Sequence, residues 1–203
     1  TVTIALAKWL SSLKKRRYTY RIIFIPETIG SIIYLSKNLD HLKKHVIAGF
    51  NITCIGDDRC YSYLPSRDGN TLSDQVALHV LKHIDPEFRR YTWLDRGSDE
   101  RQYCAPGVDL PIATIMRSKY AEYPEYHTSL DDLNLITPLG LEGGYSVLKK
   151  AIEIIEKNVV PKINVLGEPQ LNKRGLYPTI RTKKSVDKLR SMLNLISYCD
   201  GKL

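Results

Sequence analysis

The sequence has little cysteine and no long apolar run, and both shortages exclude whole classes of protein. Four cysteines in 203 residues, none of them forming a Cys-x-x-Cys pair, are too sparse for a secreted disulfide scaffold. No stretch approaches the roughly 18 apolar residues that cross a membrane, and no signal peptide opens the chain. We therefore expect a cytoplasmic protein with no membrane partner.

Acidic residues are scarce in one part of the chain, and this concentrates the positive charge there. The net charge is +8, but residues 1–157 contain 21 Lys and Arg against 19 Asp and Glu, whereas residues 158–203 contain nine against three. The basic residues of this tail include Lys173, Arg174, Arg181, Lys183, Lys184, Lys188 and Arg190. Such an excess attracts phosphate groups, so nucleic acid is a candidate partner of the tail.

Short β-branched runs alternate with helical spacing over most of the chain. Buried strands are predicted at residues 20–26, 46–55, 90–94 and 111–116, and an edge strand at 61–64. Helices are predicted at residues 2–13, 28–38, 39–45, 71–84, 130–135 and 142–158. This alternation indicates an α/β fold, a mostly parallel sheet with helices on both faces.

Proline and glycine accumulate where the apolar periodicity stops, and they divide the chain into three parts. We expect an α/β domain over residues 1–157, a linker or arm over 158–184, and the start of a further module over 185–203. The first residues already have helical spacing, and the last ones follow an amphipathic segment. We therefore expect a fragment at both ends, truncated on the N-terminal side of its fold.

Three loops that follow predicted strands carry unusual polar residues. Ligands of a doubly wound sheet bind beyond the carboxyl ends of its strands. Glu27 follows the first strand directly, so it suits a general base or metal ligand, or an acidic residue that complements the next helix dipole. Asp99 and Arg101 lie in the second loop, and Tyr126 and His127 in the third.

Helical spacing also brings histidines together in pairs. His41 and His45, like His79 and His83, are four residues apart and share one helix face. Two imidazoles at this spacing can bind a metal, but neither pair has the glutamate of a His-Glu-x-x-His arrangement. A solvated helix surface is the favoured interpretation of both pairs.

Taken together, the loops resemble the second half of the zinc-dependent aminopeptidase family with co-catalytic metals. Residues 126–132, Tyr-His-Thr-Ser-Leu-Asp-Asp, are similar to its Tyr-His-Thr-x-x-Asp signature. Residues 97–99 with 106–111 resemble its Ser-Asp…Gly-Ile-Pro stretch, and residues 25–31 its Glu-Glu…Gly-Ser stretch. The pattern is most similar to bacterial aminopeptidase-like proteins that carry a C-terminal winged helix.

The resemblance implies a function and a set of site residues. A zinc-dependent hydrolase of peptide or other small amide bonds would use His127 as a zinc ligand and Glu27 as general base or metal ligand. Asp99, Arg101 and Tyr126 would line the substrate pocket, and residues 185–198 would form the first helix of the winged-helix module. The implied cofactor is zinc; the oligomeric state is left open.

Two departures from the family pattern limit this expectation. Thr53 stands where the family has a ligating aspartate, and threonine is a poor zinc ligand. The family's first histidine and bridging aspartate lie ahead of a helix like that at residues 2–13, where this sequence begins. A catalytic zinc site normally has three protein ligands, so we expect the isolated chain to be a poor or inactive enzyme.

Three alternatives remain open at this point. Cys104 and His127 could form a thiol hydrolase, with Arg101 supplying an electropositive setting. Thr53 could mark a degenerate, non-catalytic peptidase-like binding module. The basic tail could bind nucleic acid through phosphate contacts, which weaken steeply with salt.

Overall fold

Twelve short elements make up the structure, a computed structural model that describes residues 1–177 and 183–201. The helices are α1 (Val2–Ser12), α2 (Ile29–His45), α3 (Leu72–Ile84), α4 (Glu100–Tyr103), α5 (Pro138–Lys157) and α6 (Lys183–Ser197). The strands are β1 (Gly49–Asn51), β2 (Ser62–Leu64), β3 (Arg89–Arg90) and β4 (Ile112–Met116), and two 3-10 turns lie at Trp93–Asp95 and Asn172–Arg174. Arg181, counted in the basic tail, lies outside the described residues.

The four strands form one sheet in the order β1-β4-β2-β3. β1 pairs parallel with β4, and β2 pairs parallel with β3, while β2 and β4 are antiparallel. The fold is therefore mixed α/β, which confirms the predicted class. The run at 61–64, predicted as an edge strand, is instead internal: all three residues of β2 are buried between neighbours on both sides.

Helices cover both faces of this sheet. Neighbouring residues of β4 point to opposite faces, and their side chains pack against different helices. Ala113 and Ile115 join a large apolar core with buried residues of α1, α3 and α5. Ile112 packs instead with a smaller cluster that includes Leu35 and Leu42 of α2. The face that carries Ile112 is therefore the face against which α2 packs.

Two predicted elements are absent from the described residues. Residues 20–26 form no strand, because no neighbouring strand supplies hydrogen bonds to them. Residues 130–135 form turns, and the carboxyl of Asp132 accepts hydrogen bonds from the backbone and side-chain N–H groups of Asn134 instead of opening a helix. The helices predicted at 28–38 and 39–45 are one continuous helix, α2.

The chain divides into two compact units, residues 1–156 and residues 157–203. The second unit contains α6 and an isolated antiparallel bridge between Lys162 and Asp200. Within residues 1–177 and 183–201, no helix combines the length and the apolarity that a lipid bilayer requires of a spanning segment.

A buried carboxyl group fixes the start of α3 against the sheet. Asp74 is fully buried, and its oxygens accept five hydrogen bonds, from the backbone and hydroxyl of Ser66 (2.9 and 2.6 Å), from those of Thr71 (2.9 and 2.6 Å) and from the Tyr63 hydroxyl (2.8 Å). Thr71 in turn accepts from the Asp74 backbone, which completes a capping box. One side chain therefore connects β2, the following turn and α3.

We predict that Asp74→Ala destabilises the chain by about 3 kcal/mol, since it leaves several buried donors without an acceptor. Chemical denaturation monitored by circular dichroism measures the change. Asp40→Ala is the matched control, because Asp40 is exposed on α2 and its loss costs less than about 0.5 kcal/mol. Equal effects of the two substitutions would contradict the proposed role of Asp74.

Candidate functional site

Glu27 is followed by a strained turn. Thr28 has φ 63° and ψ −71°, and the backbone N–H of Ile29 donates to the carbonyl of Glu27 at 2.7 Å. This is a γ-turn with positive φ, a rare conformation that is costly for a β-branched residue. The turn joins residues 20–26, which form no regular element, to α2, and Glu27 is exposed at the surface. Such strain persists only where the surroundings hold it.

Asp99 and Arg101 hold this turn. The backbone N–H of Thr28 donates to Asp99 Oδ1 at 2.7 Å, and Arg101 Nη2 donates to the Thr28 hydroxyl at 2.6 Å. Both bonds involve a charged partner, the stronger class of hydrogen bond. The structure therefore brings Glu27, Asp99 and Arg101 together at one corner of the molecule. A substrate-binding role of Asp99 and Arg101 stays a prediction, and their present partner is the turn beside Glu27.

Glu100, between these two residues, was not singled out from the sequence. It is fully buried; its Oε1 accepts from the backbone N–H groups of Gly97 (2.8 Å) and Ser98 (2.9 Å) and from the Tyr120 hydroxyl (2.7 Å). Its Oε2 accepts from Asn51 Nδ2 at 2.8 Å. The sequence does show an acidic residue in a Gly-Ser-Asp-Glu loop between two strands. Four charged residues lie close together there, so the sequence alone does not indicate which of them is buried.

The third loop presents stacked aromatic rings beside the same corner. The ring of His127 lies on that of Tyr126, with centroids 3.9 Å apart and planes 16° apart, and Tyr123 meets Tyr126 edge-on. Burial raises the pKa of Tyr126, and the nearby Cys54 and Glu27 raise it further. The charge of Glu27 therefore acts on Tyr126, which belongs to the same loop as His127. His127 itself is exposed and has a positive φ of 58°.

The carboxyl end of β1 contributes Thr53 and Cys54. The Thr53 hydroxyl donates to Cys54 Sγ at 3.7 Å, and the Tyr123 hydroxyl lies 3.7 Å from the same sulfur. Burial raises the pKa of the Cys54 thiol. At the position where the resemblance implies a ligating carboxylate, this chain therefore presents a hydroxyl beside a protonated thiol.

A zinc ion does not fit the side chains that are present. No group of three or more His, Cys, Asp and Glu side chains in residues 1–177 and 183–201 is arranged to hold a metal ion. Glu27 and His127 supply two ligands at most, and Thr53 offers no carboxylate. The rings of His41 and His45 are 4.6 Å apart, but His41 Nε2 lies 3.3 Å from Arg21 Nη2. His79 and His83 are exposed on α3 with no third ligand among the described residues.

The alternative with Cys104 as a nucleophile is wrong. Cys104 is fully buried, and its thiol donates to the carbonyls of Leu110 and Ile112. Burial raises its pKa to about 11, so the thiolate is scarce at neutral pH. A buried, protonated thiol cannot attack a substrate. His127, the other residue of this alternative, is exposed on a different loop.

We predict that Asp99→Ala frees the Thr28 amide. Loss of a charge-assisted bond worth about 1.5 kcal/mol accelerates hydrogen exchange at that amide by about tenfold. Exchange followed by NMR measures the rate at single amides. Asp109→Ala is the control, because the Asp109 carboxyl pairs with Arg67 and accepts from the Gly107 backbone, not from Thr28. Unchanged exchange at Thr28 would show that Asp99 does not hold the turn.

Relatives in Clostridium acetobutylicum match most of the length of this chain. A curated protein, "Putative polysaccharide biosynthesis protein with aminopeptidase-like domain", is 41% identical over 176 residues, which are 86% of this chain and 40% of that protein. A crystal structure titled "putative peptidase" from the same organism is 36% identical with a TM-score of 0.79, covering all of this chain and 44% of that one. The chain therefore spans less than half the length of these relatives.

The fold is also similar to that of solved zinc aminopeptidases. BSAP, a zinc aminopeptidase from Bacillus subtilis, has a TM-score of 0.62 at 17% identity, over 78% of this chain and 40% of that chain. At this identity the similarity concerns the fold alone. It agrees with the aminopeptidase-like architecture expected from the three loops.

Two protein families divide the sequence between them. A winged helix-turn-helix family matches residues 158–203, which confirms the expected C-terminal winged helix. A domain of unknown function, DUF4910, matches residues 1–158, more than three quarters of the chain. On the strength of this match, the chain belongs to the DUF4910 family.

Proposed function

We propose that the chain is the aminopeptidase-like part of a hydrolase that cleaves peptide or other small amide bonds, with Glu27 as its general base. The observation that carries the proposal is the braced γ-turn: a strained backbone, held by Asp99 and Arg101, presents the Glu27 carboxyl at the surface. Strain of this kind clusters at functional sites. The aminopeptidase-like domain of the Clostridium relative supports the reaction class.

In this proposal each residue has a separate task. Glu27 accepts the proton of the water that attacks the amide carbon, and it delivers that proton to the leaving nitrogen. Tyr126, with His127 stacked on it, forms an aromatic wall for the substrate side chain. Since Asp99 and Arg101 already bind Thr28, they hold Glu27 in place and contact substrate through their remaining atoms. The relative's name adds amides of sugars to the substrates worth assaying.

The described residues cannot form a complete zinc site. Two ligands do not bind zinc tightly, because a catalytic site needs three protein ligands and one open position. We therefore infer that this chain alone binds zinc weakly and turns over no substrate. The runner-up is a non-catalytic peptidase-like binding module, for which Thr53 is the supporting feature.

The test of the hydrolase is a chimera in which this sequence replaces the matching part of the Clostridium relative. We predict hydrolysis of leucine p-nitroanilide by the chimera, and a fall in kcat of about a hundredfold or more in Glu27→Gln, which removes the base without changing its shape. Glu87→Gln, at an exposed position after α3, is the matched control. An active Glu27→Gln chimera would exclude Glu27 as base, and a folded chimera inactive on peptide and sugar amides would favour the binding module.

A second candidate function is supported by the winged helix-turn-helix match over residues 158–203. Lys173 and Arg174 are exposed in a 3-10 turn, and Lys188 and Arg190 are exposed on α6. We propose that these side chains bind nucleic-acid phosphates.

We predict that the tail binds duplex DNA with an affinity that falls as the salt concentration rises. With four phosphate contacts, affinity falls roughly a hundredfold between 50 and 200 mM salt. Fluorescence anisotropy of a labelled 20-base-pair duplex measures this slope. Replacing Lys188 and Arg190 by Gln together reduces the slope by about half, whereas Lys8→Gln and Lys37→Gln, in the first unit, leave it unchanged. Salt-independent binding, or none at 50 mM, would identify the tail as a protein-packing module.

A further inference from the structure

Arg117 is a buried arginine that immediately follows β4. It is only 6% exposed, and its backbone N–H donates to the Cys54 carbonyl at 2.8 Å. Its Nε donates to the backbone carbonyl of Asp57 at 2.7 Å, and its guanidinium carbon lies 3.8 Å from the centre of the Tyr61 ring. The guanidinium group is therefore fixed through its Nε and through one of its faces.

The terminal nitrogens of Arg117 have no acceptor within the part of the chain that the structure describes, and no carboxylate there forms an ion pair with the guanidinium group. A buried charge without an ionic partner is costly, and arginine is rarely buried unless it is paired. The described buried polar side-chain atoms that lack a partner are Ser31 Oγ and Thr114 Oγ1. Since the Arg117 nitrogens are not among these sealed atoms, they still meet solvent, and an anion can reach them.

The hydroxyl of Tyr61 lies beside these nitrogens, and it too forms no hydrogen bond with a described residue. Both groups meet at Gly143 of α5, where a Cβ atom would lie 2.6 Å from the Tyr61 hydroxyl and 3.2 Å from Arg117 Nη1. A side chain at this position would displace the hydroxyl, so the glycine allows both groups to approach the helix backbone. Two hydrogen-bond donors without an acceptor therefore share one small region beside α5.

The carboxyl group of Asp57 does not supply the missing anion. Its oxygens accept from the backbone and hydroxyl of Ser118 (2.9 and 2.7 Å) and from the backbone of Arg59 (3.1 Å), while Asp57 faces Arg117 through its carbonyl. Its negative charge is nevertheless close, and this limits the anion that the site can accept. A phosphate, with up to two negative charges, would be repelled more strongly than a carboxylate, whose single charge matches that of Arg117.

We propose that Arg117 and the Tyr61 hydroxyl form a binding site for the carboxylate of a small organic acid. The free N–H groups of the guanidinium bind the carboxylate oxygens in the forked arrangement that arginine favours, and the Tyr61 hydroxyl donates to one of these oxygens. The Tyr61 ring already holds the guanidinium plane in place, so little order is lost on binding. The site uses none of Glu27, Asp99 and Arg101, and it does not depend on hydrolytic activity.

The experiment titrates the 203-residue chain with sodium acetate, which replaces sodium chloride at constant ionic strength. We expect saturable NMR shifts of the Arg117 Nε–H and of the Gly143 backbone N–H, with a dissociation constant on the order of 10 mM for one partly solvated ion pair. Inorganic phosphate serves as the competing probe. Saturation by phosphate and not by acetate, or no saturable shift with acetate, overturns the proposal, and the second result identifies Arg117 as a purely structural residue.

A matched pair of tyrosine variants locates the binding. Tyr61→Phe removes the hydroxyl and keeps the ring against Arg117, so we expect the acetate affinity to fall about fivefold through the loss of one hydrogen bond. Tyr145→Phe is the control, because Tyr145 packs against the same apolar core but its ring faces Lys149, and it leaves the affinity unchanged. Full affinity in Tyr61→Phe, or equal losses in both variants, overturns the proposal.

A matched pair of arginine variants tests the fork. Arg117→Lys keeps the positive charge but cannot bind a carboxylate through two parallel N–H groups, so the acetate affinity measured at the Gly143 N–H falls about tenfold or more. Arg90→Lys is the control, since Arg90 also stacks on an aromatic ring, that of Phe88, but is exposed. Circular dichroism checks that each variant is folded. Undiminished affinity in a folded Arg117→Lys chain overturns the proposal, and if that variant does not fold, Tyr61→Phe decides alone.

Discussion

A single buried carboxyl group, that of Glu100, connects the loops around the candidate site. Its two oxygens accept hydrogen bonds from Gly97 and Ser98 before it, from Asn51 at the end of β1, and from Tyr120 just after β4. A buried carboxyl is costly unless its acceptor positions are filled, and here four donors from three segments fill them. The ends of two neighbouring strands are thus held at one point, and the geometry of the exposed loops depends on it.

The effect of Glu100 reaches the surface through its sequence neighbours. Asp99 and Arg101 flank it in the chain, so fixing Glu100 also fixes where these two charged side chains emerge. Both then bind Thr28, one through its backbone N–H and one through its hydroxyl. The strained turn beside Glu27 is therefore maintained by a chain of contacts that begins in the protein interior. Glu100, which is fully buried, therefore determines the position of Glu27, the candidate base.

The sequence predicted what depends on local periodicity and missed what depends on distant partners. Helices α1, α3 and α5 were predictable because apolar residues recur at helical spacing and each helix buries that face. Residues 20–26 have the composition of a buried strand, but a strand also needs a neighbour, which composition cannot supply. The resemblance of three motifs to one family implied the grouping of Glu27 with Asp99 and Arg101, whereas the burial of Glu100 depends on tertiary packing that has no local signal.

The position of Glu27 depends on contacts from one side of its turn. Within the described residues, no backbone hydrogen bond joins residues 19–25 to the rest of the chain, so the segment that leads into Glu27 has no strand beside it. Asp99 and Arg101 restrain the other side of the same turn through Thr28. Because backbone freedom that is already lost in the free protein is not lost again when a ligand binds, these two contacts lower the entropic cost of any role of Glu27. The place of this carboxyl therefore depends on tertiary hydrogen bonds more than on the segment that precedes it.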